Sequence, residues 1–230
     1  MEGIKAFLKR KNIEISAKRY GIDALGAMAQ GLFASLLIGT IINTVGTQFG
    51  IGFLTQAVVT VGSGEKAVAY TVGGLASAMS GPAMACAIGY ALQAPPLVLF
   101  SLITVGFASN ALGGAGGPLA VLFVAILAAE AGKAVSKETK VDILVTPLVT
   151  IFVGVALSAW WAPAIGKAAS SIGGIIMWAT ELQPFFMGIV VSVIIGVALT
   201  LPISSAAICA ALGLTGLAGG AAVAGCCAQM

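Results

Sequence analysis

The sequence predicts an all-α polytopic membrane protein of about six to eight membrane segments, some of them broken or re-entrant. Three observations predict it. First, 59% of the 230 residues are hydrophobic and only 8% are charged, whereas a soluble domain ordinarily carries about 25% charge. Second, the charges fall in residues 1 to 23, Glu65-Lys66, Glu130 to Asp142, Lys167 and Glu181, with uncharged chain between. Third, Phe185 to Leu201 is an apolar run long enough for about 25 Å of helix, close to the hydrocarbon core of a bilayer. It leads into Pro202-Ile203-Ser204-Ser205-Ala206, a break that frees backbone groups where water is scarce. Such a break is tolerated where protein covers it or where it lines a wet cavity.

The 31 glycines fit this class, because small residues let helix backbones approach closely when lipid offers no hydrophobic drive. The chain has no histidine. A Ser-His or Cys-His catalytic pair is therefore excluded within it, and zinc and haem sites are not expected. Cys86, Cys209, Cys226 and Cys227 sit in apolar surroundings without metal-ligand spacing, so they read as small buried hydrophobes and no cofactor is expected. The net charge of +3 comes from the N-terminal region, where Lys5, Lys9, Arg10, Lys11, Lys18 and Arg19 outnumber Glu2, Glu14 and Asp23. Beside an apolar segment this pattern reads as a cytoplasmic, topology-setting flank rather than a nucleic-acid surface. Ile4, Phe7, Leu8, Ile13 and Ile15 interleave with the charges, which suits an interfacial helix over residues 1–20. Residues 21–230 form the transmembrane domain.

In chain order, Ala24 to Asn43 reads as a first span and Gly46 to Val61 as a shorter second one. Gly62-Ser63-Gly64-Glu65-Lys66 is a turn. Ala67 to Leu92 is a third span with an internal Ser80-Gly81-Pro82 break, ended by Pro95-Pro96. Leu97 to Ala129 holds the string SNALGGAGGP (109–118), through which a regular helix is not expected. It reads as two half-length elements meeting at a buried break, a pattern transporters use at binding sites. Glu130 to Asp142 reads as a polar loop, placed in the cytoplasm by its lysines. Ile143 to Ala159 is the next span, with Trp160 and Trp161 at the far interface. Gly166 to Leu182 is amphipathic and lies along the outer surface or dips back in. A loose likeness between residues 80–88 and 201–209, and between 115–117 and 218–220, is what an internal repeat would leave.

GPAMACAIGYAL (81–92), SNALGGAGGPLAV (109–121), VDILVTPLVTIFVGV (141–155), ELQPFFMGIVVSVIIGVALTLPISSAAICAALGL (181–214) and GLAGGAAVAGCCAQM (216–230) together resemble the enzyme IIC-like membrane proteins of the bacterial phosphotransferase system. The resemblance is to a divergent group that includes membrane regulators of toxin genes. It implies a dimeric inner-membrane permease that carries a sugar while soluble partners phosphorylate it. With no histidine and no soluble domain, this chain would not carry the phosphoryl relay itself. Members of the family usually continue past this C-terminus, so the resemblance also implies a shortened member.

The candidate solute-binding residues are Glu181 with neighbouring Gln183, Asn110, Ser80, Ser204 and Ser205. An ionisable group at membrane depth is a functional candidate, and acidic residues near membrane breaks meet sugar hydroxyls in the family that this chain resembles. Alternatively, Glu181 is an interfacial charge facing water. Asn110 lies where backbone groups are free, as a solute ligand or a helix cap. The three serines line a cavity or bond back to their own helices. Glu130 and Lys133 read as a loop pair rather than a site. The leading function is a carrier for a small polar, sugar-like solute. The alternative is a membrane sensor whose basic N-terminal segment is its output surface.

Overall fold

The computed structural model describes residues 2–62, 67–199, 216, 219 and 220. Pro202, Ser204 and Ser205, the Ser63 to Lys66 part of the expected turn, and Cys209, Cys226 and Cys227 lie outside the described residues.

A short helix α1 (Glu2–Arg10) precedes a continuous helical run α2 (Arg19–Gln48). Two turns of α2 are π-helical, Arg19–Asp23 and Phe33–Leu37. A one-turn helix α3 (Gly52–Thr55) and an antiparallel hairpin of β1 (Val59–Val61) and β2 (Val68–Tyr70) follow, with Val59 opposite Tyr70. Next come α4 (Val72–Ala78) and α5 (Ser80–Ala91), then α6 (Pro96–Gly113) and α7 (Gly117–Val135). The chain ends in α8 (Asp142–Leu182) and α9 (Pro184–Leu199). Four helical segments are long and apolar enough to cross a membrane: α2, α6, α7 and the Asp142–Ala168 part of α8. The pair α4–α5, bent by 49°, makes up to five.

Four expectations need correction. Gly46 to Val61 is not a span. The first helix runs on through Gln48, and Gly50, at φ 64°, then turns the chain into α3 and the hairpin. Leu97 to Ala129 is not two half-length elements. Pro96 starts α6, where its missing N–H costs nothing, and α7 continues to Val135, so each helix is long enough to cross. The expected loss of helix at the glycines is confined to one turn of 3₁₀ geometry, Gly114–Gly116. Gly114 supplies the positive φ of 52° there, which a side chain would strain. Glu130 to Asp142 is not all loop either, because its first residues complete α7. Gly166 to Leu182 continues α8 without a break.

The helices pack through their small residues. A Cβ on Gly106 would strike the backbone oxygen of Gly81, and one on Gly166 that of Gly113. A Cβ on Gly31 would lie 2.6 Å from Ala83 O. Around these contacts Met28, Leu32, Met84, Ile88, Leu102, Val105, Val121 and Val124 form the buried core. Arg19 bonds Leu92 O and Asn12 bonds Gln93, so the starts of α2 and α6 and the end of α5 share one face. Lys133 brings the end of α7 to the same place. From that face α6 rises about 27 Å and α2 about 45 Å at an α-helical rise of about 1.5 Å per residue. The Gly114–Gly116 turn is therefore recessed below the far ends of α2 and α8.

Candidate functional site

The break between α4 and α5 falls at Met79, one residue before the expected string, and Ser80 opens α5. Asn110, in the last turn of α6, points its Nδ2 at Ser80 Oγ across 3.4 Å. This is long against the usual 2.9–3.0 Å or so for an N–H···O bond. The two side chains meet because glycines surround them. A Cβ on Gly81 would lie 2.5 Å from Asn110 Cβ, and one on Gly117 would collide with Asn110 Oδ1. Next along α6, the buried Ser109 shares a 2.8 Å hydrogen bond with Ser158 of α8. Ser109 also bonds back to Val105 O at 2.8 Å, and Ser158 to Gly154 O at 2.7 Å. Ser80, Ser109, Asn110 and Ser158 thus make a polar seam where four apolar helices converge, next to the recessed turn. Gly116, Gly117 and Pro118 are buried there.

The structure brings Ser80 and Asn110 together and holds Glu181 and Gln183 apart from them. Glu181 is exposed near the end of α8 and Gln183 is exposed just beyond it. Gly166 marks the level of Gly113 on α8, and Glu181 lies about 22 Å farther along the helix at 1.5 Å per residue. Ser158 was not singled out from sequence. Its only signal was an isolated hydroxyl in the apolar run VGVALSAWW.

A second polar cluster lies on the opposite, charged end. Three helices stop there, and each is followed by a non-glycine residue of positive φ: Asn12 (55°) after α1, Gln93 (54°) after α5 and Lys137 (62°) after α7. After α5, Ala94 N–H bonds Gly89 O and Gln93 N–H bonds Tyr90 O, a Schellman closure. Each helix C-terminus leaves unpaired carbonyls and roughly half a negative charge. Cations answer them. Lys133, 1% exposed, donates to Asn12 O at 2.9 Å and Leu92 O at 3.2 Å. Arg19 adds a 2.8 Å bond to Leu92 O, and Lys11 donates to Ser136 O.

Lys133 also pairs with Glu130 at 2.9 Å, and Glu130 accepts from Tyr20 OH at 3.1 Å. Glu138 bridges Arg10 and Lys11, each at 2.6 Å. Its carboxyl is held below the usual carboxylate range by the Lys11 hydrogen bond first, against the opposing effect of desolvation, with the charge of Arg10 assisting. The expected Glu130–Lys133 loop pair is instead a buried pair inside α7. The sequence signal was their three-residue spacing in a run that remains helical.

A cleft of about 380 Å³ opens between these groups, lined by Arg10, Lys11, Gln93, Lys133, Lys137 and Glu138 among others. Its cations are largely committed to carbonyls and carboxylates, so the face is a structural clasp more than a free basic patch. Among the described residues no group of His, Cys, Asp and Glu could hold a metal ion.

No curated protein and no solved structure matches the chain. A family model described as "Phosphotransferase system, EIIC" matches residues 22–230. That match begins just after Arg19, in the first turn of α2, and takes in the other described membrane helices, the Met79 break and the glycine turn. The chain belongs to the phosphotransferase system EIIC family, as a multi-pass membrane permease component of that system.

Proposed function

We propose that the chain carries a small polar, sugar-like solute across the bacterial inner membrane, with the basic N-terminal face in the cytoplasm where soluble phosphotransferase partners meet it. The observation that carries this reading is the weakly engaged Ser80–Asn110 pair at the Met79 break. A 3.4 Å contact gives up little when a solute hydroxyl replaces it, and the amide and hydroxyl together offer both donors and acceptors. The glycines around the pair bring the helix backbones against it, so the two side chains meet where the helices pack closely. Broken helices and glycine turns at membrane depth are tolerated where they face protein or a wet path. Glu181, Gln183, Ser204 and Ser205 belong to the same proposal as further candidate contacts for the solute. So do a homodimer, an internal repeat and the full six to eight segments, counting α9 and the chain beyond it.

The test is uptake and phosphorylation of radiolabelled sugars by proteoliposomes holding the full chain, supplied with soluble phosphotransferase components. Uptake that falls on Asn110→Ala supports the reading. No flux of any sugar overturns it. The sensor alternative draws on the clasp, since Glu138 bridges Arg10 and Lys11 and its loss would free Arg10 while Lys11 keeps its bond to Ser136 O. Under that reading Glu138→Gln alters the response to a ligand while flux is absent in wild type and variant alike.

A further inference from the structure

Two irregularities in the helices lie side by side. α2 turns π-helical at Phe33–Leu37, and α4 bends into α5 by 49° at Met79. α2 holds both arms of that bent pair, one on each side of its π turn. Before the turn, a Cβ on Gly31 would lie 2.6 Å from Ala83 O of α5. After it, a Cβ on Gly39 would lie 2.5 Å from Gly73 O of α4 and would strike Ser77 Oγ. The π turn itself touches both α4 and α5. Sharp kinks fall at such turns, and single π turns occur often at functional sites. Ser35, buried inside the turn, donates to Gly31 O at 2.6 Å, so that carbonyl keeps a partner when the helix flexes.

Beyond these two points the chain is fastened to itself. Thr71 donates to Asn43 Oδ1 at 2.9 Å and accepts from Gly74 N–H at 3.0 Å. A Cβ on Gly46 would lie 2.8 Å from Leu54 Cβ, so α3 folds against the end of α2. Val58 N–H bonds Tyr70 O at 2.9 Å beside the hairpin. The end of α2, α3, the hairpin and α4 thus hold one another. They give nothing to the common core, which draws on residues 20–36 and 84–157. Among the described residues from 38 to 78, only Gly39, Gly46 and Gly73 are buried. A part joined to the rest by few buried apolar contacts moves at little cost in free energy.

We infer that residues 38–78 tilt as one lobe on the rest of the chain, about a line through the Phe33–Leu37 turn and Met79. Hinges of this kind are a few element-terminal residues that take up the change in backbone angle. The lobe holds the last 11 residues of α2, an arm of about 16 Å, so a tilt of about 15° carries its end through about 4 Å. Ser80 follows Met79 directly and meets Asn110 across 3.4 Å, so the tilt is felt at the polar seam. Use of the motion for a solute rests on the carrier reading; the tilt itself does not.

The experiment uses the full chain in liposomes, diluted with unlabelled copies, and reads distances by double electron–electron resonance. Nitroxides are attached through a keto-bearing unnatural residue, which leaves the four native cysteines in place. Three pairs of exposed sites are compared: Val61 with Ile103 across the joints, Ile38 with Val61 inside the lobe, and Gln30 with Ile103 outside it. The first distribution should be broader than the other two by about 4 Å, the arc of that tilt. Equal widths in all three make lobe and bundle one body and overturn the inference. A broad Ile38–Val61 distribution overturns it as well, since the lobe itself is then loose. A broad Gln30–Ile103 distribution overturns the hinge line, because the motion then begins before the π turn. These distances are read whether or not any sugar is taken up, so the tilt and the carrier reading fail separately.

Discussion

Lys133 Nζ lies 2.9 Å from the backbone oxygen of Asn12, a residue 121 positions earlier in the chain. The same ammonium reaches Leu92 O and Glu130, so one side chain ties the N-terminal segment and the α5–α6 turn to the end of α7. Lys133→Met should therefore cost far more than a surface charge. Removing one partner of a buried pair typically costs about 3–5 kcal/mol, and here two helix-end carbonyls lose a donor as well. Thermal unfolding in detergent checks this. Lys133→Met with Glu130→Leu should recover part of the loss, because no buried charge is then left without its partner.

The helix contacts predict opposite outcomes for two glycines. Gly106→Val places carbon against the Gly81 backbone and Ala85 Cβ, and should destabilise by about 1–3 kcal/mol through overpacking. Gly26→Ala meets nothing within 4 Å inside α2. It should stabilise by about 0.5–1 kcal/mol, the helix-propensity difference. Melting temperatures of both variants, measured in the same detergent, test whether close approach or flexibility governs these positions.

For the polar seam, Asn110→Ala should lower the initial rate of solute uptake about tenfold, the scale of one lost hydrogen bond to a bound hydroxyl. Its melting temperature should change little, because its contact to Ser80 is long. Ser109→Ala should show the reverse balance. That hydroxyl is buried and already bonded to Ser158, so its loss should register in stability first.

The clasp is sensitive to acid. Glu138 has its carboxyl lowered below the ordinary value by the hydrogen bond from Lys11, with Arg10 assisting. A lowered carboxyl stabilises the folded arrangement fully above its ordinary range of about 4.3. That contribution fades as the pH falls through the lowered value. Hydrogen exchange of residues 6–12 should therefore quicken as the pH is taken from neutral to below 4, after correction for the intrinsic pH dependence of exchange. Glu138→Gln should remove the acid-dependent step. Added salt should loosen wild type in the same direction, since Arg10 and Glu138 are both solvent-accessible.

The membrane class and the family were legible in composition and in long strings, because neither depends on where one helix ends. Boundaries were harder. Gly46 to Val61 is apolar enough for a span, and only Gly50 marks where the chain turns instead into α3 and an exposed hairpin. Gly106 and Gly113 resemble helix breakers in sequence, yet α6 passes through Gly106 because backbones touch there. Asn110 and Ser80 were readable as candidates, and Ser80-Gly81-Pro82 marked the break to within one residue, but their meeting across two helices was not readable. Lys133 was misread as a loop charge because a lysine near a helix end usually snorkels outward. Here the carbonyls at two helix ends, Asn12 O and Leu92 O, and the Glu130 carboxylate pull it inward.

The 41 residues of α8 form a rod of about 60 Å, roughly twice the hydrocarbon thickness of a bilayer. Such a rod acts as a lever. Its contacts with α6 and α7 lie near Thr150, Gly154, Ser158 and Gly166, so its far end swings more widely than its base. Beyond Gly166 the rod runs about 22 Å to Glu181, so a tilt of about 10° of that part would move Glu181 through about 4 Å. Pro147 and Pro163 lie inside the rod, and Pro163, just before Gly166, is where such a swing finds its joint.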